Sequence, residues 1–194
     1  MKLFRPVGIK ELEKILLLEA KAFPPRLAWQ PVFYPVLNEQ YAIQIAYEWN
    51  TPDEFSGFCG FVVAFNVNDA FIQRYEVQNV GDIIHNELWI PSEELTEMNK
   101  NIENYILLTK VFYGEKYTGI IENTKDFIGL NAKEQLFKIK NNYKNDQDLK
   151  ICLQNESILI QINFSFWRNS LQEIELTDKI LALWQEISPY SLLM

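Results

Sequence analysis

Phe58–Val67, FCGFVVAFNV, holds one polar side chain, Asn66, in ten residues. A short run of that apolar density, flanked by turn signals, predicts a strand buried on both faces at the centre of a sheet. Upstream lies the turn-rich NTPDEFSG, and downstream DAFIQRY predicts a helix of one or two turns. EVQNV and DIIHNELWIP then predict further strands, with His85, Glu87 and Trp89 on one face and Ile84, Leu88 and Ile90 on the other. After a short helix at Ser92–Leu95, the segment ENYILLTKVFYG predicts a strand that returns beside the first. Strands and helices mixed in this order predict an α+β fold.

The outer segments extend the pattern. KLFRPV, residues 2–7, predicts an opening strand ended by Gly8. Ile9, Leu12, Ile15, Leu16, Ala20 and Phe23 recur at helical spacing, and Pro24-Pro25 stops that helix. PPRLAWQPVFYPVLN carries four prolines in fifteen residues and predicts a loop with a short strand at Val32–Tyr34. Asn38 is an N-cap for a helix with Tyr41, Ala42, Ile45, Ala46 and Trp49 on one face. Trp29 and Trp49 are read as packing residues.

Beyond Gly114 the texture changes. EKYTGIIENTKDFIGL is irregular, and Asn131 with Glu134 forms a capping-box start for AKEQLFKIKNNY. NNYKNDQD predicts a surface loop. Alternation in SILIQINFSFW predicts a strand, and TDKILALWQEI an amphipathic helix. Two parts are expected, residues 1–113 and an α/β extension over residues 114–194.

Composition narrows the function classes. The 194 residues are 48% hydrophobic, enough for a substantial core. A net charge of −8 argues against unsteered binding to a nucleic-acid backbone, since such binding requires a basic surface. Cys59 and Cys152 are too few for a zinc ribbon or a disulfide scaffold, so two buried thiols are expected. MKLFRPVG has no apolar signal core, and no apolar run approaches the roughly 20 residues of a membrane span. A soluble, cytoplasmic protein with no membrane partner is expected.

Several chemistries lack their residues. There is no glycine-rich phosphate loop and no nucleophile elbow, and a single histidine cannot build a His-rich metal centre, so no metal site is expected. Carboxylate chemistry remains, with basic and aromatic helpers: Arg5 in LFRPV, Tyr34 in VFYPVLN and Glu87 in HNELW.

The order of these three carries a family resemblance. A strand with Arg near the N-terminus, an aromatic segment before a helix containing Tyr-Ala (FYPVLNEQYAIQIA) and a strand-borne Glu resemble the ADP-ribosyltransferase fold. The front is also similar to small bacterial proteins that begin LFRPVG and carry FYPVLN and ELWIP, some labelled ADP-ribosylation/crystallin J1. The resemblance covers residues 1–112 and implies split β-sheets with flanking helices and NAD as substrate. Breaking the nicotinamide–ribose bond passes through an oxocarbenium-like state, which a nearby carboxylate stabilises. The resemblance gives that role to Glu87, with His85 touching the acceptor or tuning the glutamate. It gives cofactor binding to Arg5, whose guanidinium would hold a phosphate or ribose oxygen, to Tyr34, stacking on nicotinamide, and to Tyr41. Arg5, Tyr34 and Glu87 are expected to line one cleft between two small sheets.

His85 stands where arginine-directed toxins of the fold carry the first Glu of Glu-x-Glu. The acceptor is therefore open among protein, nucleic acid and small molecule. An alternative reading is a scaffold without turnover, an accessory or immunity-type module whose aromatic-rich TDKILALWQEISPY binds a protein.

Overall fold

Cys59–Val67 (β3) runs through the middle of a three-stranded antiparallel sheet, buried at every position except Asn66. It lies between Lys2–Val7 (β1) and Ile102–Tyr113 (β7). Register is set by pairs such as Arg5↔Val63 on one side and Gly60↔Phe112 on the other. The computed structural model describes residues 1–188 and Leu193. The chain forms two compact units, Met1–Tyr117 and Thr118–Met194.

In the first unit, Val32–Phe33 (β2) pairs antiparallel with Ile90–Pro91 (β6), and Val77–Asn79 (β4) with Asn86–Leu88 (β5). Val36 joins these ladders to the main sheet, bridging Phe4 on one side and Glu87 on the other. Small antiparallel sheets with flanking helices thus make the expected α+β class.

Ile9–Leu17 (α1) buries Leu12 and Ile15. It stops before the expected Phe23, because Glu19 and Ala20 adopt positive φ (56° and 55°) and Ala20 N donates to Ile15 O at 2.9 Å. Phe23 lies beyond the helix, in the core against Phe33 and Phe65, at centroid distances of 4.8 and 4.7 Å. Glu39–Gln44 (α2) is capped by Asn38, whose Oδ1 accepts from Gln40 N. It widens into a π-helical stretch over Ile45–Asn50. Its inner face packs on Phe4, Val36, Val62 and Ala64. A side chain at Gly60 would strike the Ala46 carbonyl, so glycine is what lets this stretch lie directly on β3.

The connections are short. Asp69–Ile72 (α3) follows β3, and Leu95–Lys100 (α4) follows a 3-10 turn at Ser92–Glu94. Asp82–Ile84, expected within a strand, form a turn, so the long strand DIIHNELWIP is in fact two short ones. Asn38, the Asn68 cap of α3 and Asn79 at the end of β4, which donates to Asp82 O in the turn, provide local hydrogen bonds that favour these boundaries.

The second unit corrects the expected α/β extension: among the described residues it holds helices and no strand. Ala132–Asn142 (α5) has the expected capping box between Asn131 and Glu134. Asp146–Asn155 (α6) begins inside the segment read as a surface loop, with Asn145 as its cap. Ser157–Ser165 (α7) is the run read as a strand. Its Leu159, Ile160, Ile162, Asn163, Phe164 and Ser165 are all buried, so apolar side chains surround the helix and alternation carries no information about its period. Asn163 makes this burial workable, donating to Gly119 O at 2.8 Å and Gln135 Oε1 at 2.7 Å. Trp167, just beyond, is buried and donates to Ala132 O. Ile174–Ile187 (α8) completes the unit; Pro189 and Tyr190 of the suggested protein-binding segment lie outside the described residues. Among those residues no helix is long and apolar enough to cross a membrane.

Candidate functional site

Between β1, the start of α1 and the proline-rich loop lies a cleft of about 370 Å³ in the first unit. That volume falls within the range of small-molecule sites. Arg5 forms its floor from β1. Glu11 comes from the first turn of α1, Arg26 from the proline-rich loop and Tyr34 from the residue just after β2. Lys10 and Lys14 also line the cleft, one helical turn apart, and the exposed rings of Trp29 and Phe55 stand at its rim.

Arg5 is 3% exposed and fully engaged. Its Nε and Nη2 donate to the two Glu11 oxygens at 2.8 and 3.2 Å, and Nη1 donates to Tyr34 O at 3.2 Å. The guanidinium also lies over the Phe33 ring at 4.5 Å and near the Tyr34 ring at 5.1 Å. Arg26 sits 3.9 Å from the same Glu11 carboxylate and 5.9 Å from the Tyr34 ring. Its guanidinium is held below the usual arginine range, chiefly by burial and next by the charge of Arg5, with Glu11 opposing.

A second cluster gathers Tyr41, His85, Glu87 and Trp89. Tyr41 stacks on His85 at 4.2 Å. His85 Nδ1 accepts from Asp82 N, which assigns the ring proton to Nε2, donating to Gln44 Oε1 at 2.9 Å. Both ring nitrogens are therefore spent on structure. The buried Glu87 carboxylate accepts from Trp89 Nε1 at 2.6 Å. Burial, reinforced by Glu87 and then Tyr34, raises the Tyr41 hydroxyl above its ordinary range.

The five residues singled out from the sequence thus fall into two groups. Arg5 and Tyr34 share the cleft, while Tyr41, His85 and Glu87 form the second cluster. Phe4, Val36 and Glu87 are successive cross-strand partners, so their side chains share one face of the sheet. Arg5 follows Phe4 and points to the other face, toward α1. Tyr34 is the link: it lines the cleft, and its hydroxyl is close enough to perturb Tyr41.

Sequence reading missed Glu11, Arg26 and Trp29. Trp29, expected to pack, is 70% exposed, and Trp49 is also exposed. The available signal was a single arginine in a proline-fixed loop beside a tryptophan (PPRLAW).

Together these features define an α+β protein with a basic, aromatic-rimmed cleft in its sheet-bearing unit. Comparisons with protein-family models, with curated proteins and with solved structures find no match.

Proposed function

We propose that the first unit is an ADP-ribosyltransferase-like module that binds NAD in this cleft and cleaves its nicotinamide–ribose bond. One observation carries the binding half. Four basic side chains (Arg5, Lys10, Lys14 and Arg26) and one acidic one (Glu11) line a single cleft of a chain whose net charge is −8. Cations concentrated against the overall charge suit an anionic ligand, and the aromatic rim suits stacked rings. In the cleavage step the C1′–N bond breaks and its electron pair leaves with the nicotinamide nitrogen, neutralising the pyridinium. The ribosyl cation then takes the acceptor's nucleophile, whose proton passes to a base or to water. Glu87 is the carboxylate the resemblance nominates to stabilise that cation. The acceptor, a protein among the candidates, is unassigned.

A second reading, a binding module without turnover, is favoured by the placement of Glu87. It faces away from Arg5, and its carboxylate is engaged by Trp89. Isothermal titration with NAD followed by assay of free nicotinamide separates the two. Binding with nicotinamide release supports the enzyme, and binding alone supports the module. Neither binding nor release would overturn both forms of the NAD reading.

A further inference from the structure

Ala132, Gln135, Leu136 and Ile139 turn one side of α5 into the core of the second unit and leave the opposite side to solvent. Phe137 stands on that outer side, 70% exposed, where an amphipathic helix ordinarily carries a polar residue. Residues four apart on a helix line up as ridges, so Lys133, Phe137 and Asn141 form one ridge and Glu134 and Lys138 the next. An open hollow is lined by both ridges, with Leu130 beside them. A second hollow adjoins the other flank of the Phe137 ridge, where Lys140, Leu171 and Glu173 complete its lining. Lys133 and Phe137 line both.

Charge on this face is only partly compensated. Lys140 pairs with Glu173 at 3.2 Å, and the Glu134 carboxylate caps the helix by accepting from Asn131 N at 2.8 Å. Lys138 donates to the Asp126 carbonyl, which carries no formal charge. The Lys133 ammonium has no partner among the described residues. An exposed ring is thus accompanied by two lysines without a carboxylate partner, on a chain of net charge −8.

We propose that this face of α5 docks a partner protein through an acidic amphipathic helix. Its apolar side chains enter the hollows on either side of Phe137, and its carboxylates meet Lys133 and Lys138. Helices pack by dropping side chains into the grooves that flank a ridge, which is the relief seen here. Phe137 supplies an aromatic anchor for the centre of the contact, and the lysines select the sign of the partner. A two-fold contact of this face with itself would gather the uncompensated lysines of both copies. An anionic membrane would meet Glu134 and Glu173 along with the lysines and leave the hollows unfilled. The proposal concerns the second unit alone and stands independently of the NAD reading.

The test is selection of a displayed library of helical peptides on the full chain, counter-selected with Phe137→Ala. Peptides that bind wild type alone are expected to carry Asp or Glu beside apolar residues spaced three or four apart. The strongest of them is synthesised and titrated by fluorescence anisotropy against wild type, Phe137→Ala and Lys133→Glu. Phe137→Ala should weaken it roughly tenfold or more, and Lys133→Glu about threefold or more with a shallower salt dependence. Both side chains are exposed, so the melting temperatures of the unliganded variants should stay within about 2 °C of wild type. Selection of no Phe137-dependent peptide, or of peptides without acidic residues, overturns the proposal. Sedimentation equilibrium, and flotation with vesicles of equal phosphatidylcholine and phosphatidylserine, cover the other occupants. A wild-type dimer that Phe137→Ala dissolves, or flotation that it abolishes, gives the face to a second copy or to a membrane and overturns the proposal as well.

Discussion

The indole N–H of Trp89, the residue that separates β5 from β6, donates to the carboxylate of Glu87 within β5 at 2.6 Å. Glu87 is buried and Trp89 half-exposed, so the indole caps the carboxylate from the solvent side. If Glu87 stabilises the ribosyl cation, Glu87→Gln abolishes nicotinamide release and leaves NAD affinity within a few fold. Trp89→Phe keeps the ring and loses the donor, so it should lower release without ending it. Retained turnover in Glu87→Gln would show that another carboxylate does the chemistry.

Arg5 tests the structural side of the cleft. Arg5→Met removes three donors from a buried site and strips Glu11 of its bidentate partner. Because Glu11 keeps some solvent and the charge of Arg26, a loss of about 2–3 kcal/mol is expected, near the low end for breaking a buried pair. Urea denaturation measures it; an unchanged midpoint would mean that the Arg5–Glu11 pair does not stabilise the fold.

Glu156 anchors the irregular segment of the second unit. Its buried carboxylate accepts from Thr124 Oγ1 at 2.6 Å, Lys125 N at 3.0 Å and Asp126 N at 2.8 Å. Glu156→Gln places an amide donor against these donors and should cost about 1–3 kcal/mol. Hydrogen exchange should speed up at the Lys125 and Asp126 amides, and unchanged protection there would refute the anchor.

Alkaline pH should destabilise the protein. Burial pushes the Cys152 thiol up to about 11 and the Cys59 thiol well above the ordinary thiol range. Burial, with donation to Glu94, likewise lifts Tyr75 to about 12. In each case the fold favours the protonated form, while an unfolded thiol ionises near pH ~8.5. The thiol contribution is complete below that pH and is lost as pH rises toward the native values. The urea midpoint should therefore fall from pH 8 to pH 10, and native protein at pH 8 should resist a thiol reagent that labels it once unfolded. Prompt labelling of the native form would contradict the burial of both thiols.

Local signals were legible wherever a feature depends on neighbours in sequence. The apolar density of Phe58–Val67, the Asn38 cap and the Asn131–Glu134 capping box all appear where they were expected. The failures share one cause. Ile158 to Phe166 alternates as a strand would, but a helix buried on all sides needs no polar stripe, so its period is hidden. Trp29 reads as a core residue from its chemistry, and its place at the cleft rim follows from the course of the proline-rich loop.

By itself the sequence determined the α+β class, the central strand, most helix starts and the acidic net charge, because propensity, capping and composition act over a few residues. Tertiary structure decided which side chains meet. That Phe4, Val36 and Glu87 share one face, opposite to Arg5, depends on pairings between segments about 30 to 80 residues apart, which no local pattern encodes. The fold likewise brought Arg26, from the loop that follows the first helix, to the same cleft as Arg5 and Glu11.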